Sequence, residues 1–284
     1  MTQDVSRRDI FGIGAIAGGA LATGTLWACS EAPKPAAAKE ARETAKDVKT
    51  PAPSHEAAAP KPTLPWAYAK LDGEVVAERA YAGYWKGACC YGTFESVVGL
   101  LGDQKGAPYS TFPSEMMKVG EGGLNGWASL CGALNGAAMA AALLLTEEQR
   151  KVVVDELYTW YEQTELPGWT PKVSKNPSKD VANKAGSVLC HVSVGKWCSK
   201  ANVKAFSKER SERCGRVTAA VAKKLVELMN AQVDGKFQRA ALMTDQTKHC
   251  RSCHDKNGTI ENTRGQMACG GCHIDAANVK SGHY

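Results

Sequence analysis

Cys250-Arg251-Ser252-Cys253-His254 and Cys269-Gly270-Gly271-Cys272-His273 each set two cysteines three positions apart with a histidine directly after the second. On a helical turn, positions i, i+3 and i+4 share one face. Two thiols so placed add to both vinyl groups of one porphyrin while the histidine reaches its iron, the pattern of covalent c-type haem attachment. One such pentapeptide fits chance or a zinc fragment; two in close succession point to two covalent haems. His254 and His273 are then the fifth iron ligands. Sixth ligands must come from His191, His249 or His283, or from Met243 or Met267. His249 points away from its own haem if the turn is helical, so it would serve another.

The motifs occupy 241–284, a segment too short to cover two apolar porphyrin discs by itself. The haems must pack on the rest of the chain, on each other or on a second copy, which points towards an oligomer. What precedes the segment is helical in period. Tyr81, Tyr84, Trp85, Ala88, Cys89 and Gly92 follow a three-and-four spacing that continues through Val97, Val98 and Leu101. A Gly/Pro-rich connection, 102–126, leads into an Ala/Gly-crowded helical segment, 127–145. Thr146-Glu147-Glu148-Gln149 is a capping box opening a helix that Pro167 ends. Residues 168–180 are rich in turn formers. A long helix over 207–230 carries Cys214, Val217, Val221, Leu225 and Leu228 on one face. The fold expected is mostly α: a helical bundle, 65–240, with a C-terminal dihaem segment.

The first residues set the compartment. Ser6-Arg7-Arg8-Asp9-Ile10-Phe11 is a twin-arginine pattern followed by an uncharged Gly/Ala-rich stretch to Ser30. It predicts a cleaved twin-arginine signal over 1–28 rather than a membrane span. Leu26-Trp27-Ala28-Cys29 resembles a lipobox despite Trp27, so Cys29 is either a lipidated first residue or a plain one. Residues 29–64 are Ala, Pro, Lys and Glu with few large apolar side chains, which predicts a tether. His55 lies there and reads as a solvated linker histidine. The expected location is the periplasm or the outer face of the cytoplasmic membrane, with membrane contact only through the lipid anchor. The net charge of +6 comes without a dense Lys/Arg block, which argues against nucleic acid.

Eleven cysteines are many for 284 residues. Cys29 and the four haem cysteines leave Cys89, Cys90, Cys131, Cys190, Cys198 and Cys214. Three disulfides would suit an exported domain, but Cys89 and Cys90 are adjacent and several of the six fall on predicted helices. Thiolates binding an iron–sulfur cluster, or redox-active thiols, are the alternatives. Twin-arginine export carries folded proteins. A cluster inserted before export would account for that route, whereas c-type haems are attached after it.

Gly87-Ala88-Cys89-Cys90, then Cys131-Gly132-Ala133-Leu134-Asn135-Gly136, then Cys190 and Cys214 resemble the redox-active proteins named for their C-GCAxxG-C-C pattern. With two Cys-x-x-Cys-His motifs following, residues 80–284 resemble the split-Soret cytochromes c of anaerobic sulfate-reducing bacteria. The resemblance implies a homodimer with its haems gathered at one end. It also implies bis-histidine ligation in which one subunit supplies sixth ligands to the other's haems; His191, His249 and His283 are the positions available. The function expected is an electron carrier rather than an enzyme, exchanging electrons with redox partner proteins. Lys248, Arg251, Lys256, Arg264 and Lys280 would guide an acidic one. The alternative is a haem- or thiol-based reductase with an open coordination site.

Overall fold

Asp72 opens the first helix, its Oδ1 accepting from the Glu74 and Val75 amides at 2.8 and 3.0 Å. The computed structural model describes residues 63–271 and 273, all within the unit Ala58–Tyr284. The signal, Cys29, His55, Cys272, Lys280 and His283 lie outside the described residues.

Helix α1 (Gly73–Lys105) follows the expected period, but it is broken at Gly87 (φ −153°, ψ 24°) and Ala88 (φ 62°, ψ −169°). Arg79 reveals what the break does. Its guanidinium holds Glu95 with bonds of 3.2 and 2.5 Å and also pairs with Asp103. On a straight helix rising ~1.5 Å per residue, those carboxylates would lie about 24 and 36 Å away. The halves before and after Gly87–Ala88 therefore fold back on each other as an antiparallel hairpin. Gly83 and Gly92 make the close crossing: a Cβ on Gly83 would meet the Gly92 backbone, and one on Gly92 the Ala80 carbonyl. Periodicity alone reads the whole run as one helix, because the reversal leaves the three-and-four spacing intact within each half. Cys89 and Cys90 thus sit at the tip of a hairpin.

Two short 3-10 turns, Tyr109–Thr111 and Ser114–Gly120, fill the Gly/Pro-rich connection. Helix α2 (Gly132–Leu144) begins later than the Ala/Gly pattern suggests. Leu124, Asn125 and Ala128 take positive φ, and Leu130 is drawn into a bridge with Leu189, so the chain cannot be helical there. Helix α3 (Glu147–Gln163) starts at the expected capping box, with both reciprocal bonds formed by Thr146 and Gln149. It gives way to β1 (Glu165–Leu166), which pairs antiparallel with β2 (Asn183–Lys184). Helix α4 (Cys190–Ala201) has no counterpart in the sequence reading; Trp197, Cys198 and Ala201 bury its inner face. Ser207 caps α5 (Lys208–Val233), accepting from the Arg210 amide at 3.2 Å.

Helix α5 packs along the α1 hairpin, with α2 and α3 completing one core. Phe94, Leu101, Leu134, Leu157, Tyr161, Leu225 and Met229 are completely buried there. Each such side chain stabilises the fold by about 1.5–3 kcal/mol relative to exposure. The protein is mostly helical, as expected. Among the described residues, no helix is long and apolar enough to cross a membrane. Helix α6 (Asp245–His254) and a 3-10 turn, Cys269–Gly271, carry the two motifs.

Candidate metal centre and haem-attachment segment

Four of the six remaining cysteines, Cys89 on α1, Cys131 and Cys190 at the starts of α2 and α4, and Cys214 on α5, lie near enough to act on one another. Cys131 is the N-cap of α2 and Cys190 the first residue of α4. The Leu130–Leu189 bridge pins these two helix starts together: the Cys131 amide donates to Val188 O at 2.9 Å, and the Cys190 amide to Ser129 O at 2.7 Å. From the hairpin tip Cys89 reaches the start of α2, where its Sγ occupies the space that a Cβ on Gly132 would need. Likewise a Cβ on Gly136 would overlap the Cys90 carbonyl. The two glycines of the Cys-Gly-Ala-x-x-Gly pattern are thus required by backbone approach. Cys214 comes in from α5.

The thiols act on one another. Burial pushes Cys89 well above the ordinary thiol range, and the neighbouring Cys131, Cys214 and Cys190 sulfurs push it further. Burial and the Cys131 and Cys214 sulfurs bring Cys190 up to about 12. Cys131 is raised by burial, against the Tyr161 hydroxyl and the Ala133 amide, which favour its thiolate. Cys90, raised to about 11 by burial and then Cys131, sits beside this set. It packs against Gly120 in the core. Cys198 is buried with Trp197 and Ala201 in a separate cluster and senses only Cys214 among the sulfurs. Cys89, Cys131, Cys190 and Cys214 thus neighbour one another, with Cys90 beside Cys131 and Cys198 beside Cys214. All nine cysteines among the described residues are free thiols, so the disulfide account finds no bond there. No three His, Cys, Asp or Glu side chains among the described residues converge on a single-ion site.

Residues that no sequence pattern marked surround the centre. Arg213, 3% exposed, donates through Nη2 to Ser193 Oγ at 2.8 Å. The completely buried Tyr161 hydroxyl donates to the same oxygen at 2.8 Å. Both lie against Cys131.

The first Cys-x-x-Cys-His motif is on the last turn of α6, with Cys250, Cys253 and His254 sharing a face. His254 Nδ1 lies 2.8 Å from Asn262 Oδ1. An imidazole that donates from Nδ1 presents Nε2 as its ligating atom, the usual outer-shell arrangement at a metal. Sequence spacing gives no hint of Asn262. His249 lies five positions before His254, about 140° round the helix, and is exposed. His191, also exposed, starts α4 beside Cys190, with its amide donating to Ala128 O at 3.1 Å. Met243 and Met267 sulfurs accept from Arg251 and Ser187 at 3.6 and 3.5 Å.

The second motif folds back on α6: the Cys250 sulfur adjoins Cys269, and a Cβ on Gly270 would meet Gln246. Helix α3 holds both flanks of the segment. Glu156 accepts from the Ala240 and Ala241 amides at 3.1 and 2.9 Å, and Glu162 from the Ala268 amide at 3.0 Å. A cavity of about 570 Å³ opens beside Met267, with Ala138, Val154, Tyr158 and Val188 as its apolar wall. Of the basic residues expected to steer a partner, Lys248 is paired with Asp245 and Arg251 with Asp255, at 2.9 and 2.6 Å.

Residues 91–228 match the C_GCAxxG_C_C family of redox-active proteins. The chain is 41% identical over 223 residues to split-Soret cytochrome c of Desulfovibrio desulfuricans, covering 76% of this chain and 80% of that protein. The chain belongs to the split-Soret cytochromes c. A solved structure of the D. desulfuricans protein, described as holding a novel iron centre, superposes with a TM-score of 0.70 at 40% identity. That match covers 73% of this chain and 90% of the other. The matched redox domain takes in Cys131, Cys190, Cys198 and Cys214 and starts one residue after Cys90.

Proposed function

We propose that this protein is an exported, homodimeric electron carrier with two covalent haems and an iron–sulfur centre held by Cys89, Cys131, Cys190 and Cys214. The observation that carries the reading is that four thiols from four helices neighbour one another, in a family whose relative is described as holding an iron centre.

The donor set fits such a centre. Burial and neighbouring sulfurs disfavour free thiolates at Cys89, Cys131 and Cys190, a penalty that metal binding removes by deprotonating and neutralising them. The haem motifs fit their group too. His254 is oriented by Asn262, and Cys250 and Cys253 flank it on one face. The exposed side chains of Leu242, Ile260 and Met267, together with the cavity beside Met267, offer apolar cover.

When bound, haem and cluster each accept and release one electron. The chain's own residues fix where that happens. Adjacent Cys250 and Cys269 bring the two haem-attachment points side by side. Glu156 and Glu162 hold the segment against α3, whose Tyr161 faces the thiol centre. Sixth ligands fall to His191, His249 or His283. Neither His191 nor His249 is buried in its own chain, which suits donation to a partner subunit's haem. Export by the twin-arginine route, with Cys29 as lipid anchor, completes the proposal.

Total iron per chain, measured with haem by pyridine haemochrome and with acid-labile sulfide, tests it. Two haems with further iron and sulfide are expected. Iron equal to haem overturns the cluster, and a monomer by light scattering overturns the dimer.

A further inference from the structure

Arg213 is a buried charge with no opposite charge beside it. Its Nη2 is bound to Ser193, its Nε has no hydrogen-bond partner, and no carboxylate among the described residues pairs with it. A guanidinium stays protonated in proteins, and burying it without a counter-charge is strongly unfavourable. Glu212, its neighbour on α5, is already engaged: it accepts from the Tyr81 hydroxyl at 2.7 Å and the Asn176 amide at 3.0 Å. The groups that act on the guanidinium instead are the Tyr161 hydroxyl and the sulfurs of Cys214, next in the chain, and Cys131. Arg210, one turn back, faces Cys214 as well.

We infer that Arg213 is the fixed counter-charge of the four-cysteine centre and that, with Tyr161, it holds the reduction potential of that centre up. The inference rests on the reading that these cysteines bind a metal centre. A cation held in a low-dielectric site interacts strongly with the sulfurs around it. Reduction adds one negative charge to the centre, and the cation favours the state that carries it. Tyr161 acts in the same sense through Cys131. Its hydroxyl favours the Cys131 thiolate, and it donates to the same Ser193 oxygen that Arg213 holds, so the two residues are tied together. Hydrogen bonds to ligand sulfurs are an established lever on cluster potentials. Both residues are positioning residues; neither is a ligand.

The test is a potentiometric titration of the non-haem centre in the full-length loaded protein, followed by electron paramagnetic resonance. Iron and sulfide per chain are measured alongside, and the haem Soret bands serve as an internal control. Arg213→Gln is expected to lower the reduction equilibrium constant at least tenfold, ~59 mV for one electron. Arg213→Lys, which keeps the charge, is expected to recover most of that shift, and Tyr161→Phe to shift less in the same direction. Haem potentials stay unchanged. A wild-type chain with no iron beyond its haems overturns the underlying reading. A loaded wild-type centre whose potential is the same in Arg213→Gln and Tyr161→Phe overturns the inference alone. If Arg213→Gln does not fold or load, Tyr161→Phe decides, and an unchanged potential counts against the proposal.

Discussion

Cys131 and Cys190 are pinned by a backbone bridge between two helix starts, whereas Cys253 is exposed on a helix that buries one residue, Thr247. Cys131 belongs to a core in which backbones touch through glycine. Among the described residues, none beyond Phe237 joins a hydrophobic cluster. The thiol site is therefore shaped by the fold itself. The segment carrying the Cys-x-x-Cys-His motifs is tied to α3 by a few carboxylate–amide bonds. A site of the first kind is sensitive to a single methyl group; one of the second kind is sensitive to its attachment chemistry.

The largest effect should come from that chemistry. Cys269→Ser with Cys272→Ser is expected to remove one of two covalent haems, halving pyridine haemochrome per chain while the bundle stays folded by circular dichroism. Loss of the whole fold would break the contrast, because the segment would then be part of the core.

Next is backbone approach. Gly132→Ala and Gly136→Ala each push a Cβ into Cys89 or Cys90, and overpacking of this kind costs about 1–3 kcal/mol. Thermal unfolding should shift down and non-haem iron should fall, with covalent haem at two per chain. Unchanged non-haem iron would show that the glycines serve packing alone.

Carbon monoxide sharpens the ligand question. With bis-histidine haems the ferrous spectrum should be unmoved by the gas. A clear shift would favour the reductase reading with an open site. His191→Ala and His249→Ala, read by loss of the low-spin spectrum, identify which residue ligates.

The smallest effect concerns the tie to α3. Burial raises Glu162 above the ordinary carboxyl value of 4.5, although the Ala268 amide opposes this. A raised folded value means that the contribution is complete below the ordinary value and lost as pH rises through the folded one. Glu162→Gln should remove that slope, with about 1 kcal/mol or less of stability change, measured as denaturation midpoints across the acid range. A slope that persists in the variant must arise from another group.

Much of this molecule can be read locally. The haem motifs are a spacing rule, the Thr146–Gln149 box is a four-residue pattern, and the α5 stripe is a period. Each is complete within a few turns of chain, so sequence alone determines it. The hairpin at Gly87–Ala88 escaped because a period survives a reversal, and α4 because its helix is short and rests on Trp197. The grouping of the six cysteines also escaped. Whether Cys198 or Cys190 joins Cys89 depends on which helices meet, and that is decided by core packing and the Leu130–Leu189 bridge. Arg213 and Asn262 matter only through what they face. The sequence determined the chemistry available to this protein, two haem-attachment motifs and a surplus of thiols. Tertiary structure decided which thiols neighbour one another and which cation is buried near them, because burial and charge pairing depend on contacts between residues far apart in the chain.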